Sequence, residues 1–118
     1  GENLFNPDWQ KPWQSYCGHV QFFKTDSYIS GGMENEEMVS YGPEDRERCE
    51  RFQRLGYKVM WADACVYHIE HSRDENSSTL NPHFANNDAL MTRLRNMSNP
   101  EMIEYYKNVS YIKKYLKK

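Results

Sequence analysis

The segment that decides the fold covers residues 31–59 and reads GGMENEEMVSYGPEDRERCERFQRLGYKV. Its centre predicts a loop that turns into a helix, because Pro43 suits the first helical position and Gly42 suits the N-cap. Glu44 and Asp45 then fall in the first turn, at the positive end of the helix dipole. An acidic residue in the first turn of a helix is stabilised by about 0.3–1 kcal/mol. Most acidic residues at helix starts have no role beyond this stabilisation.

The same segment carries an apolar stripe and a helix end. Cys49, Phe52 and Leu55 recur three residues apart, which predicts one buried face for the helix. Gly56 stands where a left-handed glycine commonly ends a helix, and residues 57–61 change to a pattern typical of strands. The charged residues are expected mostly on the other faces: Arg46, Glu47, Glu50, Arg51 and Arg54.

Length, charge and cysteine content limit the class of protein. A chain of 118 residues is one domain at most, or a piece of one. A net charge of −2 argues against an electrostatic binder of nucleic acid or membranes, because such proteins present a basic surface. No apolar run approaches the ~20 residues that span a bilayer. The three cysteines cannot all pair, so we expect a reducing, cytoplasmic location, with any membrane association through other parts of the protein.

On either side of the central helix, the pattern predicts short strands and a further helix. Residues 16–24, 57–61 and 65–69 read as strands, because they are rich in aromatic and β-branched residues. Residues 25–30 predict a short capped helix that ends at two glycines. The acidic run at residues 34–37 predicts a solvated loop.

The last third of the chain predicts two helices. Asn81 as N-cap and Pro82 at the first position open one of them, and Ser98 opens the other. Their buried faces are expected to comprise Leu90, Leu94 and Met97 in the first helix, and Met102, Ile103, Tyr106, Ile112, Tyr115 and Leu116 in the second. The chain therefore divides into an aromatic-rich entry loop (1–15), a central segment (16–80) and a helical pair (81–118).

The central segment resembles a known catalytic segment. Its Gly-Gly-x(8)-Tyr-Gly-Pro-Glu-Asp core, followed by Arg-Phe-x-x-Leu-Gly-Tyr, is similar to the carboxy-terminal catalytic segment of β-1,4-galactosyltransferases and related bacterial glycosyltransferases. A second anchor follows in the family's order: His-Ile-Glu-His-Ser-Arg-Asp at residues 68–74, then Asn81-Pro82. The resemblance covers about residues 16–87. It implies an α/β fold, or α+β for an isolated piece: the carboxy-terminal part of a type A glycosyltransferase (GT-A) fold, with a few strands and two C-terminal helices.

The resemblance implies a role for three residues of the first motif. Asp45 would be the general base for the incoming hydroxyl, Glu44 would hydrogen-bond the acceptor, and Tyr41 would contact both sugars. Gly18 and His19 match the place beside the donor sugar. The implied reaction moves a hexose or an N-acetylhexosamine from a UDP-sugar donor to a saccharide acceptor. A single displacement with the base opposite the leaving group would invert the anomeric centre.

The second motif implies a catalytic divalent metal, Mn²⁺ or Mg²⁺. His71 matches the family's histidine ligand, and His68 stands where the family has a methionine ligand. Residues three apart point to opposite faces of a regular strand, so the two histidines can share an ion only if the backbone bends between them. The family's metal-binding Asp-x-Asp element does not occur in this sequence. We therefore expect a nucleotide-binding half to precede residue 1 and to complete the metal site, and this piece to be inactive alone.

The same residues also have plain structural explanations. Gly18 could mark a β-bulge. Aromatic residues of the entry loop such as Trp9 and Trp13 could form a platform for a sugar ring, but such residues mostly pack against the protein. Two histidines three apart are, by themselves, a weak metal signal. The competing function is a non-catalytic carbohydrate-binding or interaction module that keeps the acceptor surface. A His-x-x-His metal hydrolase is a further alternative, but the sequence shows no recognisable third ligand.

Overall fold

The computed structural model describes residues 17–18, 20–63, 66, 75–109 and 114. In these residues the chain forms four α-helices, with a 3-10 turn at Glu75–Ser77 between the second and the third. The helices are α1 (Thr25–Ser30), α2 (Glu44–Arg54), α3 (Phe84–Asn96) and α4 (Asn99–Lys107). None of the helices in the described ranges is long and apolar enough to cross a membrane.

The expected α/β or GT-A fold is wrong for the part of the chain that the structure describes, because that part contains no strand. Residues 57–61 and the described residues of 16–24 are irregular, and of the predicted strand 65–69 only Val66 is described. The physical reason lies in what a strand requires. Aromatic and β-branched residues favour an extended chain, but a strand exists only where a neighbouring strand completes its hydrogen bonds. The described residues supply no such neighbour.

Helix α2 keeps the predicted apolar face and the predicted end. Its N-cap is Pro43 rather than Gly42, so the helix begins one position later than expected. Cys49 and Phe52 are buried as predicted. At the other end, Gly56 has a φ of +88°, which confirms the left-handed glycine after the helix.

The interior of the protein contains an ion pair that the apolar pattern did not predict. Glu47 and Arg51 were expected on solvated faces of α2, but their exposed fractions are only 4% and 1%. The Arg51 guanidinium donates to the carbonyl oxygens of Gly31 and Met33, at 2.8 and 2.6 Å, and lies 4.2 Å above the Tyr106 ring. Its burial is possible because the carboxylate neutralises it and the carbonyls take its remaining N–H groups. The pair fastens the glycine turn after α1 and the start of the acidic loop to α2.

The apolar core lies between α3, α4 and the loop that follows α1. It comprises Met33, Leu90, Leu94, Met102 and Tyr106, with Met97 and Leu55 packed against it. The predicted inward positions Leu90, Leu94, Met102 and Tyr106 are thereby confirmed, whereas Ile103 is exposed and its prediction is wrong. Residues 112, 115 and 116 lie outside the described residues.

The two helix starts near the C-terminus differ in how well the sequence predicted them. Ser98 caps α4 in a capping box with Glu101, as its spacing suggests. Helix α3 begins at Phe84 instead of Pro82. Asn81 explains the delay, because its side-chain oxygen accepts the backbone N–H of His83 at 2.8 Å and forms a turn before the helix.

Helix α1 is confirmed at residues 25–30 and is followed by Gly31. Its N-cap residue is Lys24, which makes no side-chain capping hydrogen bond, so the predicted cap is wrong. A Cβ atom on Gly31 would lie 2.4 Å from the Phe52 ring. Glycine is therefore required for α1 to approach α2 this closely.

Candidate functional site

A cleft of about 250 Å³ lies between the segment before α1 and the first turns of α2. Gly18 and Asp45, for which the family resemblance implies donor and acceptor contacts, both line it. The other lining residues are Val20, Gln21, Phe23, Tyr28, Glu34 and Arg48. Most ligand pockets for drug-sized molecules measure about 300–1,000 Å³, so this cleft suits a ligand no larger than about one sugar ring.

Arg48 lies at the centre of the polar contacts in the cleft. Its guanidinium pairs with the Asp45 carboxylate through Nη2 and with the Glu34 carboxylate through Nη1. The Arg48 side chain is only 13% exposed, while those of Asp45 and Glu34 are 45% and 54% exposed. Burial lowers the pKa of Arg48, but the hydrogen bond and charge of Glu34 and the charge of Asp45 outweigh it and raise that pKa overall. Arg48 is therefore a fixed cation between two carboxylates that remain open to solvent.

Gln21 connects the two sides of the cleft. Its Nε2 donates to the carbonyl oxygen of Cys17 at 2.7 Å and to that of Asp45 at 3.0 Å. Its Oε1 accepts from Arg48 Nε at 2.9 Å. One amide thus holds the segment that carries Gly18 against the first turn of α2.

Glu44 is the neighbour of Asp45 in the chain but does not line the cleft. Its Oε2 atom is buried and has no hydrogen-bond partner in the described structure. Burial raises the pKa of Glu44, and the nearby Asp45 charge adds to the effect, while backbone N–H groups oppose it. Contact between Glu44 and a ligand in the cleft would require its side chain to rotate out of this position.

Tyr41 and the loop before α2 are held by α3. The Tyr41 ring stacks on Phe84, with centroids 6.1 Å apart. Asn87 Nδ2 donates to the carbonyl oxygens of Val39 and Tyr41, at 2.7 and 3.0 Å, and Asn87 Oδ1 accepts from the Val39 N–H at 3.1 Å. A Cβ atom on Gly42 would lie 2.7 Å from Asn87 Nδ2, so the loop needs glycine there.

Three of the predicted site residues lie outside the described residues: His19, His68 and His71. Trp9 and Trp13, the candidate sugar-stacking residues, also lie outside them. Within the described ranges, no group of three or more His, Cys, Asp or Glu side chains could hold a metal ion. The metal site at His71 and His68 therefore stays a prediction.

Sequence reasoning missed three residues that shape the site: Gln21, Arg48 and Asn87. Arg48 follows Asp45 by three positions, a spacing at which opposite charges on a helix meet, so the pattern could have identified it. Gln21 and Asn87 act across 24 and 48 residues of sequence. No local pattern indicates contacts at that separation.

The cleft combines hydrogen-bonding groups with aromatic surface. Asp45 and Glu34 offer carboxylate oxygens suited to hydroxyls, and Phe23 and Tyr28 offer rings on which an apolar face can pack. These features suit a small polyhydroxylated ligand. Comparison of the chain with protein family models, with curated proteins and with solved structures found no significant match.

Proposed function

We propose that this chain is part of an inverting, metal-dependent glycosyltransferase and carries acceptor-side, donor-side and metal-binding residues. The enzyme would move a hexose or an N-acetylhexosamine from a UDP-sugar to a hydroxyl group of a carbohydrate. The observation that carries the proposal is that Gly18 and Asp45 line one cleft together with polar and aromatic side chains suited to a sugar. The two sequence motifs supply the type of reaction.

Asp45 acts as the general base in this proposal. A base for glycosyl transfer must be ionised and must reach the acceptor hydroxyl within about 2.6–3.2 Å. The Asp45 side chain is 45% exposed and its Oδ1 is paired with Arg48, so the carboxylate is both accessible and neutralised on one side. The hydroxyl proton moves to Asp45 as the acceptor oxygen attacks the anomeric carbon and the bond to the diphosphate breaks.

The departing diphosphate needs positive charge, which a divalent metal supplies when it is bound. The cleft carboxylates do not fit a cation, because the Arg48 guanidinium already lies between Glu34 and Asp45. We assign the metal, Mn²⁺ or Mg²⁺, to His71 and His68, together with ligands from the nucleotide-binding half of the enzyme. Mn²⁺ and Mg²⁺ both favour carboxylate, carbonyl and water oxygens, so the other half of the enzyme would have to supply oxygen ligands beside these imidazoles.

The test is UDP release by the complete product of the gene that contains this chain. The purified protein is incubated with a panel of UDP-hexoses and UDP-N-acetylhexosamines, with saccharide acceptors, and with Mn²⁺, Mg²⁺ or a chelator. The proposal expects acceptor-dependent UDP release that the chelator abolishes, and a product whose anomeric configuration, read by NMR, is inverted. Saccharide binding without UDP release would instead support a non-catalytic carbohydrate-binding module.

A further inference from the structure

The Arg48 guanidinium is fixed in three directions by three different groups. Nε donates to Gln21 Oε1 at 2.9 Å, Nη1 pairs with Glu34, and Nη2 pairs with Asp45 Oδ1. Because each nitrogen has its own partner, the guanidinium plane cannot rotate without breaking at least one contact. Gln21 is fixed in turn by the carbonyl oxygens of Cys17 and Asp45.

This arrangement differs from an ordinary surface ion pair. Exposed pairs between long side chains contribute little to stability and leave both partners mobile. Arg48 is instead 13% exposed and contacts an amide whose Nε2 donates to two backbone carbonyls. Asp45, which is 45% exposed, has room for other rotamers, and the guanidinium selects one of them.

We propose that Arg48 is a positioning residue: braced by Gln21, it holds the Asp45 carboxylate in the one orientation from which it can accept the proton of the acceptor hydroxyl. The inference rests on the proposed glycosyl transfer and adds a residue that the motif does not include. Positioning matters because a displacement of about 1 Å at the reacting groups can cost about 10²-fold in rate. Glu34 holds the opposite edge of the same guanidinium and helps to keep it in place.

The experiment measures kcat and the acceptor KM of Arg48→Met and Arg48→Lys in the complete, metal-loaded enzyme. Both variants are expected to lose about 10–100-fold in kcat with little change in acceptor KM. Lysine keeps the charge but lacks the planar fork, so it cannot bind Gln21 and Asp45 at once. If charge alone mattered, Arg48→Lys would retain wild-type kcat, and that result would overturn the inference.

Two further variants separate positioning from general stability. Arg46→Met, at an exposed arginine of the same helix, serves as the matched control and should leave kcat unchanged. Arg48→Ala should regain part of its kcat when millimolar ethylguanidinium is added, whereas damage to the fold would not be reversed. Loss of kcat without any such rescue overturns the inference.

Gln21→Leu keeps the Arg48 and Asp45 side chains but removes the amide that braces Arg48. It should lower kcat in the same direction as Arg48→Met, by a smaller factor. Unchanged kcat in Gln21→Leu would show that the brace does no positioning. Absence of sugar transfer by the wild-type enzyme would instead refute the proposed function itself, so the two failures are distinguishable.

Discussion

The Arg51 guanidinium and the Glu47 carboxylate form a two-bond ion pair inside the protein, with Nε–Oε1 and Nη2–Oε2 distances of 3.0 Å each. Tyr106 donates its hydroxyl to the same Oε1 atom, and Asn35 Nδ2 donates to the Tyr106 oxygen at 3.1 Å. The acidic loop, α2 and α4 are thereby joined through one buried polar network. This network supports the helix that carries Asp45 and the cleft.

Arg51→Met should destabilise the protein strongly. Removing one partner of a buried ion pair leaves an uncompensated charge, which costs about 3–5 kcal/mol. The measurement is the free energy of unfolding from urea denaturation followed by circular dichroism. Arg46→Met, at an exposed position of the same helix, is the control and should change this free energy by less than about 0.5 kcal/mol. Equal stability of the two variants would show that the buried pair contributes nothing.

Asn87→Leu should destabilise the loop that leads into α2. The substitution removes three hydrogen bonds to backbone groups of Val39 and Tyr41 and leaves those groups unpaired. We expect a loss of about 2–4 kcal/mol in unfolding free energy. Asn86→Leu, at the exposed neighbouring position of α3, is the matched control. A result in which both variants unfold at the same urea concentration contradicts this reading.

Gly42→Ala tests the closeness of the same loop to α3. The added Cβ would lie 2.8 Å from Asn87 Cβ, an atom that cannot swing away as the end of a long side chain could. Overpacking of this kind costs about 1–3 kcal/mol. The prediction is a lower midpoint of urea unfolding together with weaker sugar transfer, because the first turn of α2 must shift. An unchanged midpoint would mean that the loop does not pack closely against α3 at Gly42.

Glu44 should make the protein less stable as the pH rises. Burial raises its pKa in the folded protein above the ordinary value of 4.5, so the folded state holds its proton to higher pH than the unfolded chain does. Between the two pKa values the folded state binds more protons, and stability falls as the pH increases through that window. Below both pKa values Glu44 is neutral in the folded and the unfolded protein, so replacing it with glutamine should change the stability little.

The corresponding measurement compares Glu44→Gln with the wild type by urea unfolding at about pH 3.5 and about pH 7.5. The variant should be the more stable protein at the higher pH and nearly equal to the wild type at the lower. Glu104→Gln, an exposed position in α4, should show no such difference. A Glu44→Gln effect of the same size at both pH values would rule out the buried, proton-binding carboxyl.

The helices were largely predictable from the sequence, because their signals are local. The spacing of apolar residues predicted the burial of Cys49 and Phe52, and Gly56 predicted the end of α2. Ser98 predicted the start of α4, where it forms a capping box with Glu101. Helix α2 begins one residue and α3 two residues later than predicted, and before α3 the delay comes from the turn that the Asn81 side chain forms. These features depend on residues within a few positions of each other.

The fold class and the residues that hold the site together were not predictable, because they depend on contacts between residues far apart in the sequence. Residues 57–61 have a strand-like composition but form no strand in the described structure, since composition does not supply a hydrogen-bonding neighbour. The burial of Arg51 depends on carbonyl groups of Gly31 and Met33, 18 to 20 positions away. The motif made Asp45 a candidate, whereas Gln21 is recognised only through the contacts that the fold creates.

The rate of UDP-sugar transfer by Asp45→Asn tests the central claim most directly. The complete gene product is assayed beside Asp88→Asn, which makes the same chemical change at an exposed position of α3. With Asp45 as the general base, Asp45→Asn should lose about 10²–10⁴-fold in kcat while its circular dichroism spectrum is unchanged, and Asp88→Asn should match the wild type. Full transfer activity in Asp45→Asn would contradict the account.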